Sequence, residues 1–315
     1  MPVSWHGRKG MKRIRIMAAV LAIAMAAAAS SGCGADSKDG GDRTTAQPAK
    51  QQEPSEETTT GSAQDAEQDE GKDDSAKASG ETYRKIPDPV VKDGDKILFV
   101  GNSHTYTNDL PGMFFEMAQA GGHGADVYDL TEGSYTLQRF SDPEDELGEI
   151  LTDALQSEPW DFVVLQENTN AAVAFNAKKD MYPYARKLDE MIKAAGGQTA
   201  FLMTWAPEEG AGAFSREMVQ GQLAAGYRTI AEELDALLIP GGEVFAKALE
   251  QDEELQLWGE DGQHPSVEGT YLAACTAYAL LFQETPVGNP YLADLDQDKA
   301  QELQGMAQAF ILDQD

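Results

Sequence analysis

From about residue 94 onward this chain predicts an α/β fold, a three-layer α/β/α sandwich around a mainly parallel sheet, and three observations carry that prediction. Short apolar runs of strand length alternate with longer stretches of helical period, the alternation continues to the C-terminus, and no internal repeat interrupts it. Strands that alternate with helices form parallel sheets with crossover helices on both faces. The domain organisation expected is a leader over 1–33, a disordered acidic tether over 34–93 and one folded domain over 94–315.

The elements follow in chain order. The first strand is expected over 96–100, where Ile97, Leu98, Phe99 and Val100 form an unbroken apolar run of the kind buried on both faces. A helical period over 110–120 separates it from a second apolar run at 125–130, and another over 146–156 leads to a third strand at 161–166. Residues 181–195 again carry helical periodicity before a strand at 199–204. Residues 214–234 do the same before a strand at 236–240. The run over 266–282 is almost wholly small and apolar, which reads as a buried helix. A last amphipathic helix is expected over 298–311. The stretch Asp294-Leu295-Asp296-Gln297-Asp298 begins like a calcium loop, but Lys299 and Gly305 stand where such a loop needs Gly and Glu, so it is read as a helix-start cap.

The N-terminal third has a different composition. Before Cys33 the chain carries Arg8, Lys9, Lys12, Arg13 and Arg15 with no acid, then an apolar stretch over 16–29, then Ser30-Ser31-Gly32-Cys33. A basic segment, a short apolar segment and small residues before a cut describe a secretory signal too short to span a bilayer comfortably. Met11 stands just before Lys12 and Arg13 and is a candidate start. From Gly34 to about Lys92 no large apolar residue precedes Tyr83, so the stretch cannot bury enough surface to offset ordering entropy.

Net charge is −30, and residues 94–315 hold 39 acidic and 11 basic residues, so nearly all of the imbalance lies in the folded part. Such a surface repels nucleic acid and anionic polymers and favours neutral or cationic substrates, or is simply a solvated acidic face. With Cys33 set aside, Cys275 is the one remaining cysteine, so no disulfide can form within the domain. Cys275 sits in the apolar run over 266–282 and is expected to be a buried core thiol. No His-Glu-x-x-His, Cys-x-x-Cys or phosphate-loop pattern occurs, and no cofactor is implied.

Two short motifs supply chemistry. Gly101-Asn102-Ser103-His104-Thr105 follows the first strand, and Asp261-Gly262-Gln263-His264-Pro265 precedes the helix at 266–282. A serine on a turn after a strand, with an Asp and a His three residues apart in a second loop, provides a nucleophile, a base and an orienter. Serine attacks well near neutral pH only when an imidazole takes its proton and a carboxylate fixes that imidazole. Each residue also has a plain reading as a turn, cap or helix-start residue. His104 and His123 are expected to be structural or surface residues. Trp205 and Tyr106 are read either as aromatics that pack on a sugar ring or as core.

The first motif resembles the leading block of the SGNH (GDSL-type) hydrolases, and Asp261 and His264 match that family's Asp-x-x-His block, in the family's chain order. The resemblance implies Ser103, Asp261 and His264 as catalytic residues and an oxyanion hole made of the Ser103 and Gly133 backbone N–H groups with the Asn168 side chain. Asn102 stands where many members have Asp, and Gln166 where the third block begins with Gly, so Gln166 or Glu167 is an alternative to Asn168. Cys33 after Ser-Gly resembles the lipobox of bacterial lipoproteins, which implies lipidation of Cys33 and anchoring to the outer face of the cytoplasmic membrane. Together these imply an envelope serine esterase, acting on small-molecule or carbohydrate esters and without a nucleic-acid partner. The alternatives are a tethered binding lipoprotein that keeps the fold without turnover and a structural envelope protein.

Overall fold

The computed structural model describes residues 85–87 and 91–313, together with the backbone of Met11–Arg13. Apart from Met11–Arg13, the leader read from the sequence, with Cys33 and most of the tether, therefore lies outside the described residues. Strands β1 (Met11–Arg13), β2 (Lys96–Gly101), β3 (Asp126–Thr131), β4 (Phe162–Leu165), β5 (Gln198–Leu202) and β6 (Leu237–Ile239) form one sheet in the order β1-β3-β2-β4-β5-β6, every pair parallel. The sequence reading has no strand at β1. The remaining five match the five expected strands to within two residues at each end.

Helices cover both faces: α1 (Ser103–Tyr106), α2 (Leu110–Ala120), α3 (Leu137–Phe140), α4 (Glu146–Ser157), α5 (Thr169–Ala172), α6 (Ala174–Asp180), α7 (Tyr182–Ala194), α8 (Arg216–Glu233), α9 (Gly241–Gln251), α10 (Val267–Phe282) and α11 (Gln297–Ile311). Successive strand side chains point to opposite faces, so Ile97 and Phe99 enter one core with α2, α9, α10 and α11, while Leu98 and Val100 enter the other with α3, α4, α7 and α8. Burial on both faces is why β2 and β4 read as continuous apolar runs. Cys275 is free and fully buried on α10, where loss of solvent holds its thiol well above the usual range. Asp296 takes the N-cap position of α11 but makes no side-chain capping bond, so the expected cap is positional only.

The domain begins before residue 94. Val91 is buried and its N–H donates to the Leu281 carbonyl at 3.2 Å, and Lys85 ion-pairs with Asp235 at 2.9 Å, so this end of the expected tether lies against the α/β unit. With β2 at the centre, β3 on one side and β4 on the other, the chain reverses its direction of winding between β2 and β4. In open parallel sheets, the crevice outside the carboxyl ends of the strands at such a reversal is where ligands bind.

Candidate active site

Ser103 enters this crevice from β2. Asn102 ends the strand and caps α1, its Oδ1 accepting from the His104 N–H at 3.2 Å. Asn102 is 1% exposed and reciprocally bonded to Gln166 at the end of β4: its N–H donates to Gln166 Oε1 at 2.8 Å, and Gln166 Nε2 donates to Asn102 Oδ1 at 3.0 Å. Asn102 Nδ2 also donates to the Tyr135 carbonyl at 2.9 Å, and Thr105 Oγ1 donates to Gln166 Oε1 at 2.8 Å. The turn carrying Ser103 is thus fixed by buried polar groups from two neighbouring segments.

The base arrives from the loop before α10. An antiparallel bridge between Trp258 and Pro265 pinches this loop, and Gly262 takes φ of 64°, a left-handed conformation that glycine adopts without strain. Asp261 Oδ1 accepts from the N–H groups of Gln263 and His264, both at 2.9 Å, and Asp261 Oδ2 lies 2.5 Å from His264 Nδ1. His264 Nε2 lies 2.7 Å from Ser103 Oγ. The His264 hydrogen bond, followed by the two backbone N–H bonds, holds the Asp261 carboxyl well below the usual carboxylate range. An ionised Asp261 only accepts, so the proton of neutral His264 sits on Nδ1, and Nε2 presents its lone pair to the serine hydroxyl. Asp261, His264 and Ser103 therefore form one continuous chain of hydrogen bonds.

One residue outside the sequence expectation, Asn108, holds the loops in register. Asn108, at φ of 55°, donates through Nδ2 to the Pro265 carbonyl at 2.8 Å and to Thr270 Oγ1 at 3.1 Å, tying the segment after Ser103 to the segment after His264. The Asn108-Asp109 pair, both at positive φ, was the available signal, because Asn and Asp tolerate this region best after glycine. His104, expected to be structural or at the surface, packs its ring 5.5 Å from His264 and 5.5 Å from Trp205. Burial, with a smaller contribution from His264, pushes His104 down to about 4, so it is neutral near neutral pH.

The expected oxyanion donors are placed as follows. The Ser103 N–H lies in the first turn of α1, where no intrahelical acceptor exists. Gly133 follows β3 in a loop hydrogen-bonded to β2 through Glu132 N–H and the Gly101 carbonyl at 3.2 Å. Its N–H donates to Glu132 Oε1 at 2.9 Å. The residue at positive φ in this turn is Ser134, not Gly133, and a Cβ on Gly133 would meet only Tyr106 Oη at 3.4 Å. Neither backbone conformation nor packing requires glycine there. Asn168 caps α5, its Oδ1 accepting from the Asn170 N–H at 3.1 Å, which leaves its amide NH2 as the end free of the cap.

Gln166 and Glu167 turn inward instead. Gln166 is 1% exposed and directs both ends of its amide to Asn102, Thr105 and the Glu167 carbonyl. The Glu167 carboxyl accepts from the Asn168 N–H at 2.6 Å and the Leu137 N–H at 3.1 Å. Burial pushes it up to about 8 against the opposite pull of those two bonds. Trp205 is buried as well, stacked on Phe245 at 4.4 Å and donating from Nε1 to the Gln263 carbonyl at 3.2 Å, which excludes it as a sugar platform and makes it a support of the Asp261 loop. Tyr106 is 44% exposed. Among the described residues no group of three or more His, Cys, Asp or Glu is arranged to hold a metal ion.

A parallel α/β/α sheet that carries Ser, His and Asp in one relay at the carboxyl edge of its strands defines a hydrolase-type architecture. Among solved structures, the chain is similar to a protein from Slackia heliotrinireducens provisionally assigned as an SGNH hydrolase, at 29% identity and a TM-score of 0.51, over 60% of this chain and 99% of that one. A DUF4886 family protein from Bacteroides uniformis shares the fold at 18% identity and a TM-score of 0.56, over 70% of this chain and 96% of its own. No family model and no curated protein matches the chain. The fold is that of the SGNH hydrolases.

Proposed function

We propose that the protein is a serine esterase working through an acyl-enzyme. The observation that carries the reading is the relay itself: Asp261 Oδ2 to His264 Nδ1 at 2.5 Å and His264 Nε2 to Ser103 Oγ at 2.7 Å. In the forward step Ser103 Oγ attacks the ester carbonyl carbon as its proton passes to His264 Nε2. The resulting imidazolium, paired with Asp261, returns that proton to the departing alcohol. Water then attacks the acyl-Ser103 ester by the same route and releases the acid. Negative charge on the carbonyl oxygen is met by the N–H groups of Ser103 and Gly133 and by the Asn168 amide. Absence of any packing reason for glycine at 133 supports this role, since a side chain is missing where a substrate oxygen would approach. A neutral His104 beside His264 adds no second positive charge against the imidazolium.

The substrates are neutral esters, including carbohydrate acetates, and the lipid on Cys33 holds the enzyme at the outer face of the cytoplasmic membrane. The composition of residues 1–33 and the acidic charge of the domain support this placement and preference. The test is hydrolysis of p-nitrophenyl acetate and acetylated glycans by the full chain. Ser103→Ala and His264→Ala should each remove nearly all turnover, by about 10⁶-fold, with the double variant scarcely worse. A folded Ser103→Ala protein that keeps its activity refutes the assignment.

A further inference from the structure

A cleft of about 570 Å³ lies between the segment that follows Asn168 and the segment that runs from Pro207 into α8; Val173, Phe175, Phe214, Met218 and Val219 line it, with Glu217 and a few amide side chains among its polar groups. Of the seven large apolar side chains left exposed among the described residues, three stand on this one feature: Phe175 at 67%, Phe214 at 49% and Met218 at 57%. Val173 and Val219 are buried. The rings of Phe175 and Phe214 are 6.5 Å apart, one on each side. Solvated apolar groups concentrated in a concave site, in a domain otherwise crowded with acids, call for a ligand that covers them.

Both walls are continuous with the proposed catalytic machinery. One begins at Asn168, whose side chain caps α5, so that Thr169 in the lining follows the proposed oxyanion donor directly in sequence. The other runs from Pro207 to Phe214, and Glu208 in it donates its N–H to the Gly262 carbonyl at 2.8 Å, inside the Asp261–His264 loop. The shape is built in. Ala211 and Phe214 exchange two backbone hydrogen bonds at 3.0 Å, and a Cβ on Gly210 would lie 2.2 Å from the Phe214 carbonyl oxygen. A Cβ on Gly226 would lie 1.9 Å from the Ala172 carbonyl oxygen, so that glycine lets α8 approach α5 and sets the width.

We infer that this cleft binds the hydrocarbon chain of the ester substrate, longer than acetyl, from either its acyl or its alcohol half. The inference rests on the esterase reading and narrows it. An acetyl group would leave most of the cleft empty, and the apolar walls offer a saturated chain burial at about three- to fourfold in binding per methylene. Carbon position along the chain, not the polar head, is what Phe175, Phe214 and Met218 read.

The experiment uses the full chain with two ester series. One varies the acyl half, as p-nitrophenyl acetate, butyrate and octanoate; the other varies the alcohol half, as ethyl, butyl and octyl acetate. In wild type kcat/KM should rise at least tenfold from the shortest to the longest member of one series, and that series identifies the half bound. In a Phe175→Ser, Phe214→Ser double variant the long-to-short ratio should fall at least tenfold; both side chains are exposed, so the fold survives. A parallel titration of Ser103→Ala with methyl octanoate and octyl acetate reads binding without turnover, and the double substitution should weaken it by the same factor. A flat or falling chain-length profile with Ser103-dependent turnover overturns the cleft assignment and leaves the esterase intact. Chain-dependent binding without turnover of any ester overturns the esterase reading instead. Binding of an acetylated glycan lost in the double variant, with octanoate and octyl esters unaffected, assigns the cleft to sugar and refutes the inference.

Discussion

Gln166 and Asn168 stand two residues apart in one loop, and replacing each with alanine should give opposite signatures. Gln166→Ala removes four buried hydrogen bonds, to the Asn102 N–H, Asn102 Oδ1, Thr105 Oγ1 and the Glu167 carbonyl. At about 0.5–1.5 kcal/mol each, with the former partners left buried, the loss is roughly 2–6 kcal/mol. For a domain of this size that lowers Tm by roughly 5–20 °C. Asn168→Ala removes a helix cap worth about 1 kcal/mol and so lowers Tm by only a few degrees. If its amide meets the oxyanion, however, kcat falls by about 10²–10³-fold, or roughly 2.7–4 kcal/mol, with little change in KM. Thermal melts and steady-state kinetics on the two variants, side by side, read both quantities. An Asn168→Ala enzyme with wild-type kcat, beside a Gln166→Ala enzyme of wild-type Tm and depressed kcat, would exchange the two roles and refute the reasoning.

Glu132→Ala should raise kcat/KM for neutral esters by a few fold, because it removes the carboxylate that holds the Gly133 N–H the oxyanion needs; an unchanged or lower value shows that this contact does not compete. Asp261→Asn should lower kcat by about 10⁴-fold, less than loss of Ser103, because the amide no longer enforces the Nδ1–H tautomer; a loss under tenfold removes Asp261 from the relay. The Glu167 carboxyl, raised from an ordinary 4.5 to about 8 by burial, contributes stability that is full below 4.5 and is lost as pH rises through 8. At about 1.4 kcal/mol per pH unit the fall is on the order of 4–5 kcal/mol, and Glu167→Gln should flatten this part of the denaturant-midpoint profile; a wild-type profile already flat from pH 5 to 8 contradicts it. Cys33→Ala should move the protein from the membrane fraction to the soluble one, and mass spectrometry that finds the wild-type mature N-terminus without lipid overturns the anchor.

The strands were legible because burial on both faces leaves only apolar residues in β2 and β4, and the long helices because several turns repeat the same period. The short helices α1, α3, α5 and α6 were not, since four to seven residues hold too few turns to show a period. The sequence reading has no helix at α9, whose start packs so closely that a Cβ on Gly242 would fall 2.1 Å from the Thr204 carbonyl oxygen, a packing demand invisible in the sequence. The same division runs through the site. Asp261 and His264 meet within one loop, so their spacing alone carries the information. Gln166 meets Asn102 across 64 residues and Asn108 meets Pro265 across 157, and nothing in a polar side chain's identity names so distant a partner. Trp205 could have been platform or core; its stacking on Phe245 decides for core.

Gln166 is also a large, buried residue at the end of the strand beside the Ser103 turn, and its hydrogen bonds account for that. A side chain there must either fill the crevice or turn into the sheet edge, and Gln166 turns inward, where the Asn102 backbone N–H supplies a donor and its side-chain Oδ1 an acceptor. An Asp at 102 would accept from Gln166 Nε2 but would lack the Nδ2–H that reaches the Tyr135 carbonyl. A Gly at 166 would leave the Asn102 N–H and Thr105 hydroxyl without the acceptor they share. The amide of Gln166 thus ties the nucleophile turn to the end of β4 through groups that are all buried.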